Sequence, residues 1–150
     1  MKKLILFLFL ALPILATAQT KPYLSLNDAL RISDAAEAKA KSEGWNVVIC
    51  ILDDGGNLIS LRRMDGVQIG SIEVAQAKAK SAVFFKRSTK VFEDGMKAEG
   101  GARIATLPNA VGVEGGLPIF KDGIIVGAIG ISGVTSAQDG IIAEAGVKGY

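Results

Sequence analysis

The sequence contains no histidine and only one cysteine, and each shortage excludes a kind of chemistry. Without histidine the chain can form neither a Ser-His-Asp or Cys-His catalytic group nor a histidine-based zinc site. Cys50 has no second cysteine to pair with, and its position in the apolar run 47–52 is typical of a small buried side chain. Any chemistry must therefore come from carboxylates, Lys, Arg, Tyr, Ser or Thr, or from a bound molecule.

Neither sign of charge is in excess. The chain has 17 Lys and Arg against 15 Asp and Glu, and the surplus of two corresponds to Lys2 and Lys3 at the N-terminus. The remaining domain is formally neutral and has no basic cluster. This argues against nucleic acid as a partner and leaves no field that would steer the domain to anionic membranes.

Residues 1–18 have the pattern of a secretory signal peptide. Two lysines precede the apolar run 4–15, and Ala16-Thr17-Ala18 forms an A-x-A cleavage site. A run of about a dozen residues is too short for a membrane span, which needs roughly 20. No cysteine lies at the cleavage site, so a lipid anchor is not indicated. We expect cleavage before Gln19, export to the periplasm or medium with no membrane anchor, and a single domain over residues 19–150.

The most specific segment runs from Glu114 to Asp139. Two apolar runs flank the turn at Asp122-Gly123, which predicts a β-hairpin. Glycines also lie before the hairpin and directly after it, where backbone can approach a ligand without a Cβ in the way. The segment therefore predicts a sheet with a pocket at one end.

Periodicity and capping signals predict the remaining elements. Both strand pairs are joined by short turns, so the sheet should be mainly antiparallel, with helices packed on it. The predicted order is α-β-β-α-α-β-β-β-α. The elements are helix 25–43, central strand 45–52, strand 58–64, helix 71–87, helix 89–99, a short edge strand at 110–113, the hairpin, and a last helix that opens with a capping box at Ser136–Asp139. The first helix should bury Leu26, Leu30, Ser33, Ala36 or Glu37, and Ala40, and the last helix Ile141, Ile142 and Ala145.

An ordered set of short motifs resembles the GlcG/HbpS-like family of haem-binding or haem-degrading domains, which also forms the C-terminal part of one class of corrinoid adenosyltransferases. Each motif alone is weak, but their order is specific and spans residues 24–150. The motifs are Asp54-Gly55-Gly56-Asn57-Leu58, Arg63-Met64-Asp65, Ala75-Gln76-Ala77-Lys78-Ala79, Gly115-Gly116-Leu117-Pro118-Ile119, Gly127-Ala128-Ile129-Gly130-Ile131-Ser132-Gly133 and Gln138-Asp139.

This resemblance implies a profilin-like α/β (α+β) domain with a five-stranded, mainly antiparallel sheet flanked by helices, assembled into homo-oligomers. It also implies a small-molecule ligand, with haem as a candidate cofactor, although no histidine is available to bind the iron. Relatives usually place an acidic residue directly after the Gln-Asp pair. Here that position is Gly140.

Five of the candidate ligand-binding residues flank the hairpin. Gly115 and Gly116, followed by Pro118, could form a nest of N–H groups for an anion or simply the turn that starts a strand. Ser132 and Gly133 lie at the strand end where a pocket could open. Gly127 and Gly130 are better explained by close packing of a helix on the sheet.

Asp139 and the residues after the second strand complete the set. Asp139 could cap the last helix or act as an acid at a pocket mouth. Asp65 could cap a loop or contact a ligand, and these two carboxylates are the weak candidates for catalysis. Arg63 could contact the ligand, and Met64 is a soft donor that more often fills a core. Lys78 would extend to water, or, facing the sheet end near Ser132, would bind an anion.

Three functions fit these residues. The first is an exported binding module for haem or another planar or anionic small molecule, and we favour it. The second is a small enzyme acting on a hydroxy- or oxo-acid with Asp and Lys side chains. The third is an accessory subunit whose helical faces form an oligomer, which Gly140 fits slightly better than the others.

Overall fold

A computed structural model describes residues 20–150, so the predicted signal peptide lies outside the described residues. Four helices surround one antiparallel sheet of four strands in the order β2-β1-β4-β3. None of the helices in residues 20–150 is long and apolar enough to cross a membrane. The elements are α1 (Leu26–Ser42), β1 (Val48–Asp53), β2 (Leu58–Arg63), α2 (Ser71–Phe85), α3 (Thr89–Lys97), a 3₁₀ helix (Gly101–Thr106), β3 (Gly116–Lys121), β4 (Ile124–Ser132) and α4 (Ser136–Lys148).

The predicted class and flanking helices are confirmed, but the sheet has four strands where five were expected. The missing strand is the one predicted at 110–113. The N–H of Val111 donates to Ser81 Oγ at 3.1 Å, and the N–H of Glu114 donates to the Glu93 carboxylate at 2.7 Å. These donors are bound to helix side chains, so they cannot join a strand ladder.

Helix α1 begins at the predicted capping box. The N–H of Asp28 donates to Ser25 Oγ, and the N–H of Ser25 donates to the Asp28 carboxylate, each at 3.1 Å. The predicted buried face is right for Ser33, Ala36 and Ala40 but wrong for Leu26 and Leu30, which are exposed. The side chains that face the sheet and α4 are mostly small, which lets the helix lie close: Ala29, Ile32, Ser33, Ala36 and Ala40.

Strand β1 is buried on both faces, as its continuous apolar run predicted. Ile49 and Ile51 face α1 and α4, which defines the α1–α4 face of the sheet. Val48 and Cys50 face α2, which defines the α2 face. Burial raises the pKa of the Cys50 thiol to about 12, so Cys50 is the inert buried side chain that the sequence indicated.

Strand β2 pairs with β1 at the edge of the sheet. Opposite Ile51 and Leu52 the register shifts, and Ile59 is the extra residue. Because of this bulge, Ile59 packs on the α1–α4 face and Leu61 on the α2 face, although regular alternation would place both on one side. Arg62 and Arg63 point to opposite faces, as expected.

The hairpin of β3 and β4 turns at Asp122 and Gly123, whose φ angles are +51° and +76°. Positive φ at both positions is the type I′ geometry that matches strand twist. Gly130 supports the predicted packing role, because a Cβ there would overlap the Ala75 carbonyl of α2. Helix α2 therefore lies directly on β4.

Helix α4 starts from a capping box of Thr135 and Gln138. The Thr135 N–H donates to Gln138 Oε1 at 3.1 Å, which is a Thr-x-x-Gln box one residue earlier than the predicted one. The predicted inward face is right for Ile142 but wrong for Ile141, which is exposed. The shift in capping frees Asp139 for a different contact.

Candidate functional site

The residues predicted for one site separate into two groups. Lys78, Gly115, Gly116, Ser132, Gly133 and Asp139 meet around the end of β4, and we call them the buried cluster. Arg63 ends the edge strand β2, Met64 and Asp65 follow it, and the three residues line a surface pocket that is separated from the end of β4 by strand β1. Pro118 belongs to neither group: it pairs with Ala128 along the outer strand β3, where its missing N–H costs no ladder bond.

An ion pair forms the centre of the buried cluster. Lys78 Nζ donates to Asp139 Oδ2 at 2.7 Å and to the Ile131 carbonyl at 2.9 Å. The two side chains are only 1% and 3% exposed. Helix α2 thus points Lys78 at the sheet end, where it does not extend to water, and its anion is a side chain of the same protein.

Burial and charge act in opposite directions on Asp139. Removing the carboxylate from water raises its pKa, and hydrogen bonds from the Lys78 ammonium and from backbone N–H groups oppose that rise. One of these N–H groups belongs to Val134, whose nitrogen lies 3.3 Å from Asp139 Oδ1. The carboxylate is therefore hydrogen-bonded from several sides, and its ion pair with Lys78 links α2, β4 and α4.

The two glycines before β3 allow close approach to this pair. Gly115 has a φ of +126°, and a Cβ there would lie 2.9 Å from Lys78 Nζ and 2.8 Å from Asp139 Cβ. A Cβ on Gly116 would overlap the Lys78 carbonyl. The Gly116 N–H donates to Thr89 Oγ1 at 2.9 Å. That N–H already has an acceptor within the protein.

Ser132 and Gly133 also have contacts inside the protein. Ser132 is buried, and its Oγ lies 3.2 Å from Ser71 Oγ at the start of α2. A Cβ on Gly133 would overlap the Asn46 carbonyl. These contacts fix the end of β4 against α2 and against the segment that leads into β1.

Outside the buried cluster lies a shallow pocket of about 370 Å³. Gly115 and Gly140 contribute to it, and the Glu114 carboxylate occupies the space that a side chain at position 140 would need. Gly140 is thus covered by the side chain of Glu114. Its charged residues are mainly acidic, with Asp94, Glu114 and Glu144 against Lys90, so they do not favour an anionic ligand.

The pocket at the end of β2 has more basic residues in its wall. Arg63, Met64 and Asp65 line a hollow of about 350 Å³, which we call the Arg63–Met64 pocket; Glu37, Lys41, Asn46 and Arg62 complete its wall. Arg62 is held by Asp34 at 2.8 Å and by Glu37 at 2.5 Å. The Lys41 ammonium bonds Glu37 and, together with Arg62, lowers the pKa of that carboxyl.

Arg63 differs from the other two cations of this pocket in its contacts. Within residues 20–150 no carboxylate lies within ion-pair distance of its guanidinium, whereas both neighbouring cations are paired. Met64 is half-buried and packs against the core of the α1–α4 face. Arg63 and Met64 follow each other in the chain, and both line this pocket.

Several contributors could not be read from the sequence. Lys41 and Asn46 join the pocket because α1 packs beside the end of β2. Thr89 and Glu93 bind N–H groups of the segment before β3. Among residues 20–150 the buried Tyr150 hydroxyl has no hydrogen-bond partner. Residues 20–150 contain no group of three His, Cys, Asp or Glu side chains arranged to hold a metal ion.

Comparison with known proteins gives a consistent result. The sequence profile of the family described as "Haem degrading protein HbpS-like" matches residues 24–148. Protein GlcG of Escherichia coli (strain K12) is 39% identical over 114 residues, which are 76% of this chain and 84% of GlcG.

Two solved structures have the same fold. The crystal structure of a PduOC:heme complex has a TM-score of 0.78 at 30% identity and covers 86% of this chain and 96% of that one. The crystal structure of HbpS has a TM-score of 0.79 at 26% identity and covers 88% of this chain and 93% of that one. In the first of these, the homologous domain is in complex with haem.

Proposed function

The chain belongs to the HbpS-like haem-degrading protein family, and from this premise we propose that it is an exported small-molecule-binding protein whose ligand is haem or a related planar, anionic molecule. We place the ligand at the Arg63–Met64 pocket. The observation that carries this proposal is a pocket lined both by Met64 and by Arg63, an exposed arginine that has no ion-pair partner within residues 20–150. The solved haem complex of a 30% identical domain supports the choice of ligand.

The donor set of this pocket fits haem in two respects. An anionic propionate group can pair with Arg63, whose planar fork suits a carboxylate. A thioether is an established axial ligand of haem iron, and Met64 supplies one in a chain without histidine. When bound, haem would supply the iron. The protein would contribute the Arg63 cation and the Met64 sulfur with its apolar side chain.

The pocket is small for a whole porphyrin. At about 350 Å³ it lies near the lower end for ligand sites. It would hold one edge of the ring and leave the other edge in solvent. A homo-oligomer in which a second copy covers the outer face would complete the site, and we include this assembly in the proposal.

Haemin titration of the chain 19–150 tests the ligand. We expect a shift of the Soret band at micromolar haemin, and a Kd about tenfold higher for Arg63→Ala, because one charge-assisted hydrogen bond is lost. Met64→Leu keeps the volume and should change the haem spectrum, whereas Arg103→Ala, an exposed arginine on the 3₁₀ helix, should change neither. Absence of any shift in the unmodified protein would remove haem as the ligand.

Native mass spectrometry of protein purified from its own periplasm tests export and ligand together. The expected polypeptide begins at Gln19, and a co-purifying molecule would identify the ligand directly. A polypeptide that retains residues 1–18 would contradict cleavage.

The alternative is a small enzyme, or an accessory subunit, acting on a hydroxy- or oxo-acid with Asp and Lys side chains. Its strongest pair, Lys78 and Asp139, is buried and bonded internally. A substrate could reach neither group without displacing the other, so we place catalysis second to binding. Asp65, which is exposed in the pocket, is the remaining carboxylate for such a reaction.

A further inference from the structure

Helix α2 leaves one strip of the sheet uncovered. It packs on β4, β3 and β1 but scarcely on β2. Between its outer side and the β1–β2 turn lies a hollow of about 300 Å³. Glu73, Gln76, Ala77 and Lys80 line the helical side of this hollow, and we call them, together with Phe84, the α2 flank. The spacing of these residues places them along one side of the helix.

Large apolar side chains are exposed at both ends of the α2 flank. Ile69, just before the helix, is 75% exposed. At the other end Phe84 is 44% exposed and packs over Gly56, close to Leu58, which is 55% exposed. Exposed apolar side chains around a hollow are typical of an interaction surface.

The charges of the α2 flank are arranged symmetrically. Glu73 and Lys80 are two helical turns apart, about 10 Å along the axis, and the small side chain of Ala77 lies between them. Neither residue has an ion-pair partner within residues 20–150; Lys80 instead lies 5.5 Å from the Phe84 ring centre. An antiparallel copy of the same helix would present a lysine opposite each glutamate.

The apolar ends follow the same symmetry. A twofold axis midway between positions 76 and 77 relates 73 to 80, and it also relates 69 to 84. Ile69 would then face the partner's Phe84, and Glu73 would face the partner's Lys80. An interface on a twofold axis needs this self-complementarity, because if one residue contacts a second residue of the partner, that second residue also contacts the first one of the partner.

We propose that the α2 flank is a dimer interface between two copies of this chain, with their α2 helices antiparallel and crossing at Ala77. The small side chain lets the helices approach closely, two ion pairs fix the register, and Phe84 and Ile69 close the ends. This interface rests on the homo-oligomer part of the proposed function but is a different contact from the one that covers the ligand pocket. It does not depend on haem, because the Arg63–Met64 pocket shares no lining residue with the α2 flank.

Sedimentation equilibrium of the ligand-free chain 19–150 tests the interface by charge reversal. Glu73→Lys alone and Lys80→Glu alone each place like charges opposite one another, so each should raise the dimer Kd at least tenfold. The double variant Glu73→Lys with Lys80→Glu restores opposite charges and should bring the Kd back towards that of the unmodified chain. Glu99→Lys and Lys121→Glu, exposed elsewhere, are the matched controls and should change nothing.

Three results would overturn the interface. They are a monomer at all concentrations, single reversals without effect, or a double variant no tighter than the singles. Circular dichroism of each variant excludes misfolding as the cause. Haemin titration of Glu73→Lys separates the two proposals, because a monomer that still binds haemin would retain the ligand site without the interface.

Discussion

The Lys78 ammonium lies 2.7 Å from the Asp139 carboxylate, and this contact joins the middle of α2 to the first turn of α4 beneath Gly115. Both charges are removed from water, so each is tolerated because the other is present. The pair is therefore a structural link whose members should be judged together.

Removing one partner should be far more costly than removing both. We expect Lys78→Met or Asp139→Asn to lower the free energy of unfolding by about 3–5 kcal/mol, because an unpaired charge or an unmatched polar group stays buried. The double variant should lose clearly less than the sum of the two. Urea denaturation of all four proteins measures the coupling. Additive losses would show that the pair is not coupled in the folded state.

Gly115→Ala tests the close approach above this pair. Both Gly115 and Gly44 have positive φ, at +126° and +71°, but only a Cβ on Gly115 would meet neighbouring atoms. Gly44→Ala should cost about 1 kcal/mol through the backbone alone. Gly115→Ala should cost about 2 kcal/mol more, because Lys78 and Asp139 must shift. Thermal unfolding of the two variants compares the cost of the backbone angle alone with that of the angle and the contacts together. Equal losses of stability would refute the close approach of Gly115 to Lys78 and Asp139.

Glu93 should make the protein sensitive to acid. The hydrogen bond from Lys97, with that from the Glu114 N–H, lowers the pKa of Glu93 to about 2 from its ordinary 4.5. The unfolded chain then takes up this proton at a higher pH than the folded chain. The stability from Glu93 is therefore complete above pH 4.5 and is lost as the pH falls towards 2.

Unfolding free energies measured against pH check this sign. The gap between the unmodified protein and Glu93→Gln should be constant at neutral pH and should shrink as the pH falls below 4.5. Lys97→Met removes the stronger of the two donors, so the gap between the unmodified protein and this variant should also shrink below pH 4.5, but by less. A gap that widens in acid would contradict the assignment.

Tyr150→Phe should stabilise the protein. The Tyr150 hydroxyl is buried without a partner, and the ring packs against the core of the α1–α4 face. Removing an unmatched buried hydroxyl should raise the free energy of unfolding by about 1 kcal/mol. Tyr23→Phe is the matched control, since Tyr23 is exposed and should change little. If Tyr150→Phe destabilises instead, the hydroxyl has a partner in solution.

Features fixed by neighbouring residues were predicted well from the sequence. The Asp122-Gly123 turn needs positive φ at both positions, and few residue pairs other than Asx-Gly adopt it readily. The Ser25–Asp28 capping box closes within one helical turn. The resemblance also depends on local motifs read in order, and the family match confirms it.

Features set by contacts distant in sequence were not predicted. Lys78 and Asp139 were each named, but their pairing needs α2 and α4 to meet at the end of β4, 61 residues apart in the chain. The strand at 110–113 was wrong because helix side chains bind its N–H groups. The prediction placed Leu26 and Leu30 inside, but the first turns of α1 bury Ala29 and Ile32 instead, because contacts with the sheet and α4 set which side of the helix faces inward.

The sheet order has a consequence for synthesis of the chain. Strand β1 can pair with β2 as soon as the short turn between them has been made. Its other neighbour, β4, is synthesised roughly 70 residues later. Until then one edge of the most apolar strand has no partner, and such an edge can pair with another chain. A growing or truncated chain is therefore most prone to aggregate between these two events, and the last third of the sequence ends that exposure.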